Sequence, residues 1–281
     1  MGEAGAAGTI DVGDLTVNRM GFGAMRVTGP GIWGPPPDRA EALAVLRRAV
    51  ELGVNFIDTA DSYGPNVSEE LIAEALHPYP EDLVIATKGG LERTGPGQWP
   101  VNGRPEHLIE ACEASLRRLR LEQIPLYQLH RPDRSVPFED SLGALVSLKE
   151  QGKIRHIGLS NVTERLIRTA QKLTPIVSVQ NRYNVDDRQS ESVVDVCAED
   201  SIAFLPWAPI QDLDRNRTLT AIAEGHSATP RQIVLAWLLA RSPVMLPIPG
   251  TGSVSHLEEN VAAAAITLSA EEVTALTASA A

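Results

Sequence analysis

One pattern recurs eight times along the chain: a short apolar run is followed by a longer segment with apolar residues every three or four positions. The short runs predict strands and the longer segments predict amphipathic helices. The predicted strands are Arg19 to Met25, Val54 to Thr59, Leu83 to Lys88, Ile124 to His130, Ile154 to Ser160, Ile176 to Asn181, Ile202 to Trp207 and Val244 to Ile248. Strands this apolar are buried on both faces, so the eight units predict a closed (β/α)₈ barrel, with an open doubly wound sheet as the alternative.

Local sequence signals support this division into units. Asp38 stands three residues before Glu41, which is the spacing of a capping box at the start of a helix over Ala40 to Leu52. Gly53 then follows as the glycine that ends the helix. Before the first unit, Thr9 to Val17 predicts two short strands around Gly13-Asp14, a hairpin that closes the barrel floor.

Length and composition limit the classes of protein that fit. The 281 residues, 43% of them hydrophobic, suffice for one large core, so we expect a single domain over residues 1–281. The formal net charge of -11 disfavours a nucleic-acid partner. The N-terminal segment lacks the pattern of a secretory signal, and no stretch reaches the roughly 18 apolar residues of a membrane span, so we expect a cytoplasmic protein.

Cysteine and histidine positions do not indicate a disulfide or a metal site. Cys112 and Cys197 both fall in helical patterns, where a small buried side chain is the expected role. The six histidines show no ligand spacing, so no bound metal is expected.

Four polar residues fall at one end of the predicted barrel. Asp58, Lys88 and His130 each stand at the carboxyl end of a different predicted strand, and Tyr63 follows five residues after Asp58. Barrel topology brings these positions to the mouth where such barrels carry their chemistry. Taken singly, each has an ordinary structural explanation. Asp58 and Lys88 could form an ion pair across the barrel, and His130 could hydrogen-bond to backbone at a strand end. Tyr63 could be an aromatic residue of the turn before Gly64.

Together, the four side chains have the parts that carbonyl reduction requires. Hydride transfer to a carbonyl carbon leaves a developing alkoxide, which needs a proton donor. A free phenol is a weak acid, but an adjacent ammonium favours its ionised form, so we expect Lys88 to lower the pKa of Tyr63. Asp58 would keep Lys88 charged, and His130 could hydrogen-bond the carbonyl oxygen.

Four segments, NFIDTADSYGPNVSEELIAEAL, the ATK of the third predicted strand, YQLHRPD and GKIRHIGLSN, resemble the aldo-keto reductase superfamily. The resemblance covers nearly the whole chain. It implies that Tyr63 is the general acid, assisted by Asp58, Lys88 and His130. It also implies a nicotinamide cofactor lying across the barrel mouth without a G-x-G-x-x-G fingerprint, which this chain does not contain after any predicted strand.

The resemblance further implies the residues that hold the nicotinamide. Ser160, Asn161 and Gln180 would hydrogen-bond its carboxamide, although Ser160 and Asn161 could instead cap the helix that opens at Thr163. Trp207 would stack on the nicotinamide ring, with a core tryptophan as the alternative. The other cofactor contacts predicted near the barrel mouth are Gly23, Met25, Pro209 and Ile248.

The loop after the last predicted strand, PIPGTGSVSHLEEN, is the candidate phosphate site. Glycines before a helix let backbone N–H groups approach an anion, which the helix dipole also favours. The phosphate candidates are Gly250, Thr251, Gly252 and Ser253, and the residues matching the family's adenine contacts are Glu259 and Asn260. A plain capping loop is the alternative.

Two departures from the family pattern affect the cofactor. The commonest relatives carry a lysine and an arginine that read the 2′-phosphate, where this chain has Gly250 and His256. We still expect NADPH, with NADH possible, because related loops of the P-G-T form use it and His256 can donate to a phosphate. The connection between Ile210 and Thr218 is short, so we expect faster cofactor release than in relatives with a long loop.

Two loops rich in Gly, Pro and Trp, TGPGIWGPPP and RTGPGQWPVNG, fall on the catalytic side. Trp33 and Trp99 would line an aromatic substrate pocket, unless they lie in exposed rigid loops. The GPGIWGPP segment is similar to bacterial pyridoxal reductases, which implies pyridoxal among small carbonyl substrates. The sequence leaves the oligomeric state open.

The sequence disfavours two other classes of function. A cofactor-sensing interaction module shares this barrel, as in potassium-channel β-subunits, but the chain lacks an N-terminal extension suited to that role. Such a sensor would bind cofactor and turn over aldehydes very slowly. A lyase or isomerase without cofactor would need a phosphate-substrate or metal constellation, which the sequence does not offer.

Overall fold

The structure, a computed structural model, describes residues 2–210 and 216–279. The strands are β1 Thr9–Val12, β2 Leu15–Asn18, β3 Phe22–Gly23, β4 Phe56–Asp58, β5 Val84–Gly89, β6 Ile124–Leu129, β7 Ile154–Ser160, β8 Ser178–Gln180 and β9 Ala203–Phe204. The helices are α1 Arg39–Glu51, α2 Val67–Leu76, α3 Pro105–Leu119, α4 Phe138–Glu150, α5 Glu164–Gln171, α6 Glu191–Glu199, α7 Arg217–Gly225, α8 Pro230–Arg241, α9 Val254–Ala262 and α10 Ala270–Ala278.

Strands β3 to β9 form one parallel sheet in which neighbours in space follow the order of the chain. Helices lie between consecutive strands along most of the chain, which is the right order for a barrel wrapped by helices. The predicted (β/α)₈ architecture is therefore confirmed. Strands are shorter than predicted at several ends: β3 covers only two residues before a 3₁₀ turn begins at Ala24.

The eighth predicted strand, Val244 to Ile248, closes the barrel without forming a regular ladder. Met245 bridges Phe204 of β9, and on the other side the Gly21 N–H donates to the Pro247 oxygen at 2.9 Å. Pro247 and Pro249 have no N–H to donate, so a continuous ladder cannot form here. The extended segment nevertheless joins the last unit to the first.

The hairpin of β1 and β2 plugs the barrel floor, as predicted. The two strands pair antiparallel with Val12 opposite Leu15, which leaves Gly13-Asp14 as the turn. Val12 and Val17 are fully buried, in one apolar cluster with Phe56 and Leu126 from the barrel strands. Burial of these side chains removes the apolar interior from water at the end opposite the mouth.

The start of α1 forms only half of the predicted capping box. The Asp38 carboxylate accepts from the Glu41 N–H at 2.9 Å, and Gly53 has the positive φ of 87° that ends such helices. The Glu41 carboxylate does not return to the Asp38 N–H. It accepts instead from the Val254 N–H at 2.9 Å, because the first N–H groups of α9 have no partner within their own helix.

Cys112 and Cys197 are buried and unbonded, as expected from their helical positions. None of the helices in residues 2–210 and 216–279 has the length and apolar content that crossing a bilayer requires.

Arg19 holds the seam where the barrel closes. Its guanidinium donates to the carbonyl oxygens of Ser242 at 2.7 Å, Leu239 at 2.9 Å and Met245 at 3.3 Å.

We predict that Arg19→Ala lowers the free energy of unfolding by about 3 kcal/mol, because these partly buried carbonyls lose a charged donor. Denaturant unfolding measures the change. Arg47→Ala, which removes an exposed arginine bonded to one carbonyl at 3.4 Å, is the matched control and should change stability far less. Equal stability of both variants would contradict the assigned role of Arg19.

Candidate active site

The four side chains singled out from the sequence meet at the carboxyl ends of the barrel strands. Asp58 ends β4, Lys88 lies in β5, and His130 directly follows β6. Tyr63 lies in the loop between β4 and α2. All four are buried, with exposed fractions between 0% for Lys88 and 8% for His130. The barrel topology thus places on one wall residues that are far apart in the chain.

The Lys88 ammonium is the centre of this group. Its Nζ donates to Asp58 Oδ2 at 2.6 Å, to the Thr59 carbonyl oxygen at 2.9 Å and to Tyr63 Oη at 3.2 Å. An ammonium has three N–H bonds, so every donor has an acceptor. The position of Tyr63 Oη is thereby fixed relative to a buried positive charge.

The second oxygen of Asp58 is held by two amide side chains. Asp58 Oδ1 accepts from Gln180 Nε2 at 2.8 Å and from Gln128 Nε2 at 3.0 Å. A buried carboxylate needs such donors in addition to its ion pair, because burial removes its hydration. Gln128 was not anticipated from the sequence. Gln128 lies two residues before His130, and side chains two residues apart in a strand point to the same face. This spacing could have placed Gln128 on the same side of the strand as His130.

His130 lies beside Tyr63 in an edge-to-face arrangement with ring centroids 5.9 Å apart. Its Nδ1 lies 3.5 Å from Ser62 Oγ, and the backbone N–H of His130 donates to the Gly89 oxygen at 2.9 Å. Among the described residues, Nε2 has no hydrogen-bond partner. One ring nitrogen is therefore available to a ligand.

Burial controls the protonation of the group. It raises the pKa of Tyr63, and the opposing effect of Lys88 does not overcome it. The expected lowering of the Tyr63 pKa by Lys88 is thus present only as a partial offset, and the net direction is the reverse. Burial disfavours the charged form of Lys88, but Asp58 and Tyr63 outweigh it, so the pKa of Lys88 is raised. Burial, followed by Lys88 and Arg131, holds the pKa of His130 well below its usual range.

These pKa directions define what the group can do at neutral pH. Tyr63 is a protonated phenol, Lys88 is an ammonium and His130 is a neutral imidazole. A phenol O–H beside a fixed positive charge can release its proton to a developing oxyanion, since the ammonium stabilises the phenolate that remains. The arrangement suits general acid catalysis.

A cavity of about 420 Å³ opens beside the four residues. This volume lies within the range of small-molecule sites, and Asp58, Tyr63 and His130 line it. Of the predicted cofactor contacts, those that line it are Gly23, Met25, Ser160, Asn161, Gln180, Trp207, Pro209, Ile248 and Gly250. Those not among its lining residues are Thr251, Gly252, Ser253, His256, Glu259 and Asn260.

Ser160, Asn161 and Trp207 form one hydrogen-bonded group at the cavity. The Asn161 amide donates to Ser160 Oγ and to the His130 carbonyl oxygen, both at 3.0 Å. Its Oδ1 accepts from Trp207 Nε1 at 3.2 Å. Neither Ser160 nor Asn161 caps α5, whose N-cap residue Thr163 has no side-chain capping bond. The two residues are thus directed to the cavity and its wall.

The loop before α9 has the bare backbone expected around a phosphate. A Cβ on Gly250 would lie 2.5 Å from the Gly23 oxygen, so this crossing of the two chain segments requires glycine. Thr251 Oγ1 accepts from the Ser253 N–H at 3.1 Å. The residues present therefore fit the close approach of a phosphate group to this loop.

The remaining predicted contacts lie further along α9. His256 is exposed and Asn260 is buried. The Glu259 carboxylate accepts from the Thr229 hydroxyl at 2.6 Å, so one of its oxygens is engaged at the start of α8. The connection for which we expected fast cofactor release includes residues 211–215, which lie outside the described residues.

The two tryptophans of the substrate loops differ in position. Trp99 lines the cavity, whereas Trp33 is not among its lining residues and pairs through its backbone with Gly64. The Arg93 guanidinium lies 3.6 Å from the Trp99 ring centroid and 5.4 Å from that of Trp33. It also donates to the carbonyl oxygens of Ile32 at 2.6 Å and Ser62 at 2.9 Å. Arg93, which the sequence analysis missed, joins both loops to the loop of Tyr63.

The comparisons with known proteins agree with this geometry. A model of the aldo/keto reductase family matches residues 19–281. An uncharacterized oxidoreductase of Schizosaccharomyces pombe is 53% identical over 96% of this chain and 89% of its own length. The pyridoxine 4-dehydrogenase of Escherichia coli is 43% identical over 96% of this chain and 98% of its own length. The structure of an aldo-keto reductase from Klebsiella pneumoniae in complex with NADPH is 27% identical, with a TM-score of 0.77 over 93% of this chain and 90% of that one.

The chain therefore belongs to the aldo/keto reductase family. This is an oxidoreductase family that uses nicotinamide cofactors and reduces small carbonyl compounds.

We predict that Arg93→Ala raises the KM for an aromatic aldehyde about fivefold while kcat changes less, because Trp99 loses a cation–π contact of about 1 kcal/mol. Arg93→Lys is the matched control: it keeps the charge without the planar fork and should give an intermediate KM. Acrylamide quenching of tryptophan fluorescence should increase in the alanine variant as the loop loosens. A wild-type KM together with wild-type quenching would show that Arg93 does not position Trp99.

The low pKa of His130 has a consequence for the pH profile. Because the imidazole stays neutral where a free histidine titrates, we expect kcat/KM for a neutral aldehyde to show no histidine inflection between about pH 6 and 8. The high pKa of Tyr63 keeps its proton in place over the same interval. Steady-state rates at saturating cofactor and constant ionic strength measure the profile. An inflection near the pKa of a free histidine that disappears in His130→Gln would contradict the assignment.

Proposed function

We propose that the protein is an NADPH-dependent reductase that converts an aldehyde or ketone to an alcohol, with Tyr63 as the proton donor. The observation that carries this proposal is the Lys88 ammonium, which joins the Tyr63 phenol at 3.2 Å to the Asp58 carboxylate at 2.6 Å on the wall of the cavity. Family membership supports the reaction class.

Each residue of the group has a distinct part in the proposed reaction. The reduced nicotinamide, when bound, supplies hydride to the carbonyl carbon. Tyr63 Oη gives its proton to the carbonyl oxygen, and Lys88 stabilises the phenolate that is left. Asp58 keeps Lys88 protonated and fixes its orientation. His130, as a neutral imidazole, can donate from Nε2 to the carbonyl oxygen and so orient it beside Tyr63.

The preference for NADPH rests on two supports. A relative of known structure was crystallised with NADPH. In this chain the loop after β3 packs on the phosphate loop: the Arg26 side chain, at Cγ, lies 3.8 Å from where a Cβ on Gly250 would stand, and Arg26 lines the cavity. Arg26 therefore brings a positive charge to a loop that has Gly250 and His256 at the family's cationic positions.

One contact works against a 2′-phosphate. The Glu41 carboxylate accepts from the Val254 N–H, so it places a negative charge at the start of α9. This repulsion leaves NADH as a second cofactor of the proposal. Titrating both cofactors against the protein, with intrinsic fluorescence as the readout, measures the preference directly.

Pyridoxal is the specific substrate of the proposal. The Escherichia coli relative is named as a pyridoxine 4-dehydrogenase, and this chain aligns with nearly all of it. Trp99 and Leu91 give the cavity an apolar wall against which a flat ring can pack. A cytoplasmic location is part of the same proposal.

We predict that Tyr63→Phe lowers kcat for aldehyde reduction at least about a hundredfold, the scale of general acid catalysis, and leaves the Kd of NADPH close to that of the wild type. Fluorescence titration gives the Kd, and loss of nicotinamide absorbance gives the rate. Tyr79→Phe removes a phenol that donates to the Leu119 oxygen away from the cavity, and it should retain activity.

Two results would contradict the proposal. Full activity of Tyr63→Phe would remove Tyr63 from the role of proton donor. Tight cofactor binding by the wild type without turnover of any aldehyde, pyridoxal included, would show instead a protein that binds cofactor without acting as a reductase.

A further inference from the structure

Arg131 is a charged residue at the cavity that the proposed reaction does not use. It directly follows His130 at the end of β6, and its side chain is exposed and lines the cavity. Within residues 2–210 and 216–279, no hydrogen bond or ion pair of its guanidinium is found. An arginine in a structural role usually has such partners, since its five N–H donors otherwise depend on water.

Other arginines of the same region show the contrast. The Arg93 guanidinium is packed on Trp99 and donates to several carbonyl oxygens. Arg118 donates to the buried Glu69 carboxylate at 2.6 Å. Both have evident structural roles, whereas Arg131 lines the cavity and its guanidinium has no protein partner among the described residues.

Counting only residues that the structure describes, the lining of the cavity carries more positive than negative charge, although the chain has a net charge of -11. Among the described residues that line it, the charged ones are Arg26, Asp58 and Arg131. The Asp58 charge is compensated by Lys88 at 2.6 Å. Arg26 stands at the other side, next to Gly250 of the phosphate loop. Of the described lining residues, Arg131 is therefore the cation next to His130 whose charge is not compensated by a carboxylate.

We propose that Arg131 binds an anionic oxygen group of the substrate, so that the enzyme prefers aldehydes carrying a carboxylate, phosphate or phenolate over neutral aldehydes of the same size. This inference rests on the proposed function. A guanidinium forms charge-assisted hydrogen bonds with such groups, and proximity to His130 would place the anion near the reacting carbonyl. Pyridoxal fits this class, because its acidic ring hydroxyl neighbours the aldehyde.

The test compares charged and neutral aldehydes of matched shape. Wild-type protein and Arg131→Gln are assayed with the three positional isomers of carboxybenzaldehyde and with the corresponding methylbenzaldehydes. We expect the ratio of kcat/KM for the best carboxylated isomer to that for its methyl counterpart to fall about tenfold in Arg131→Gln. Arg134→Gln, an exposed arginine of the same loop that is not among the lining residues, should leave the ratio unchanged.

Two further measurements separate direct contact from indirect effects. In the wild type, added NaCl should lower kcat/KM for the carboxylated isomer more than for the methyl one, and this difference should shrink in Arg131→Gln. Binding of methylbenzoate, which has no hydroxyl group to oxidise, to the complex with NADP⁺ is followed by tryptophan fluorescence, and should weaken in Arg131→Gln without any turnover.

The outcomes distinguish this inference from the proposed function. If no aldehyde is reduced by the wild type, the proposed function fails. If the wild type reduces aldehydes but Arg131→Gln changes both series equally, Arg131 acts through His130 or packing, and the anion site is overturned. An unchanged ratio, or an equal fall in Arg134→Gln, also overturns it. Matching thermal unfolding of the three proteins excludes misfolding as the cause.

Discussion

The site depends on one buried ammonium. Lys88 is 0% exposed, and removing its charge from water costs several kcal/mol unless acceptors replace its hydration. Asp58, the Thr59 carbonyl and Tyr63 provide those acceptors from one strand and the loop that follows it. The barrel is what allows this, because Asp58 pairs with Ala86 in the neighbouring strand, and Lys88 lies two residues further along that strand, on the same face. The three hydrogen bonds that stabilise the buried Lys88 ammonium therefore also fix the position of the Tyr63 phenol.

Much of this arrangement was predictable because it follows from topology. Parallel strands bring their carboxyl ends together, so Asp58, Lys88 and His130 could be placed at one mouth from their positions in the strands alone. The floor hairpin followed from a turn between two alternating segments. In each case a local pattern and a general rule of chain geometry were enough, without knowledge of which side chains touch.

The parts that sequence reasoning missed are contacts between distant segments. Glu41 has the spacing of a capping residue of its own helix, but its carboxylate accepts a hydrogen bond from the first N–H of α9, which lies beside it in the fold. Arg93 is one charge in a loop of glycines and prolines, and nothing local shows that two tryptophans lie beside it. The direction of the pKa shift of Tyr63 is set by burial, which depends on how distant segments pack around the phenol. Sequence patterns report on neighbours along the chain, whereas these effects come from neighbours in space.

The crossing of Gly23 and Gly250 lies on the line where the first and last units meet. On this line the Gly21 N–H donates to the Pro247 oxygen, and Glu41 reaches across to α9. A ligand bound along this line would contact the first and the last units of the barrel together. Such a ligand would favour the closed barrel over any state in which these two units have separated, so binding and barrel closure would be thermodynamically linked.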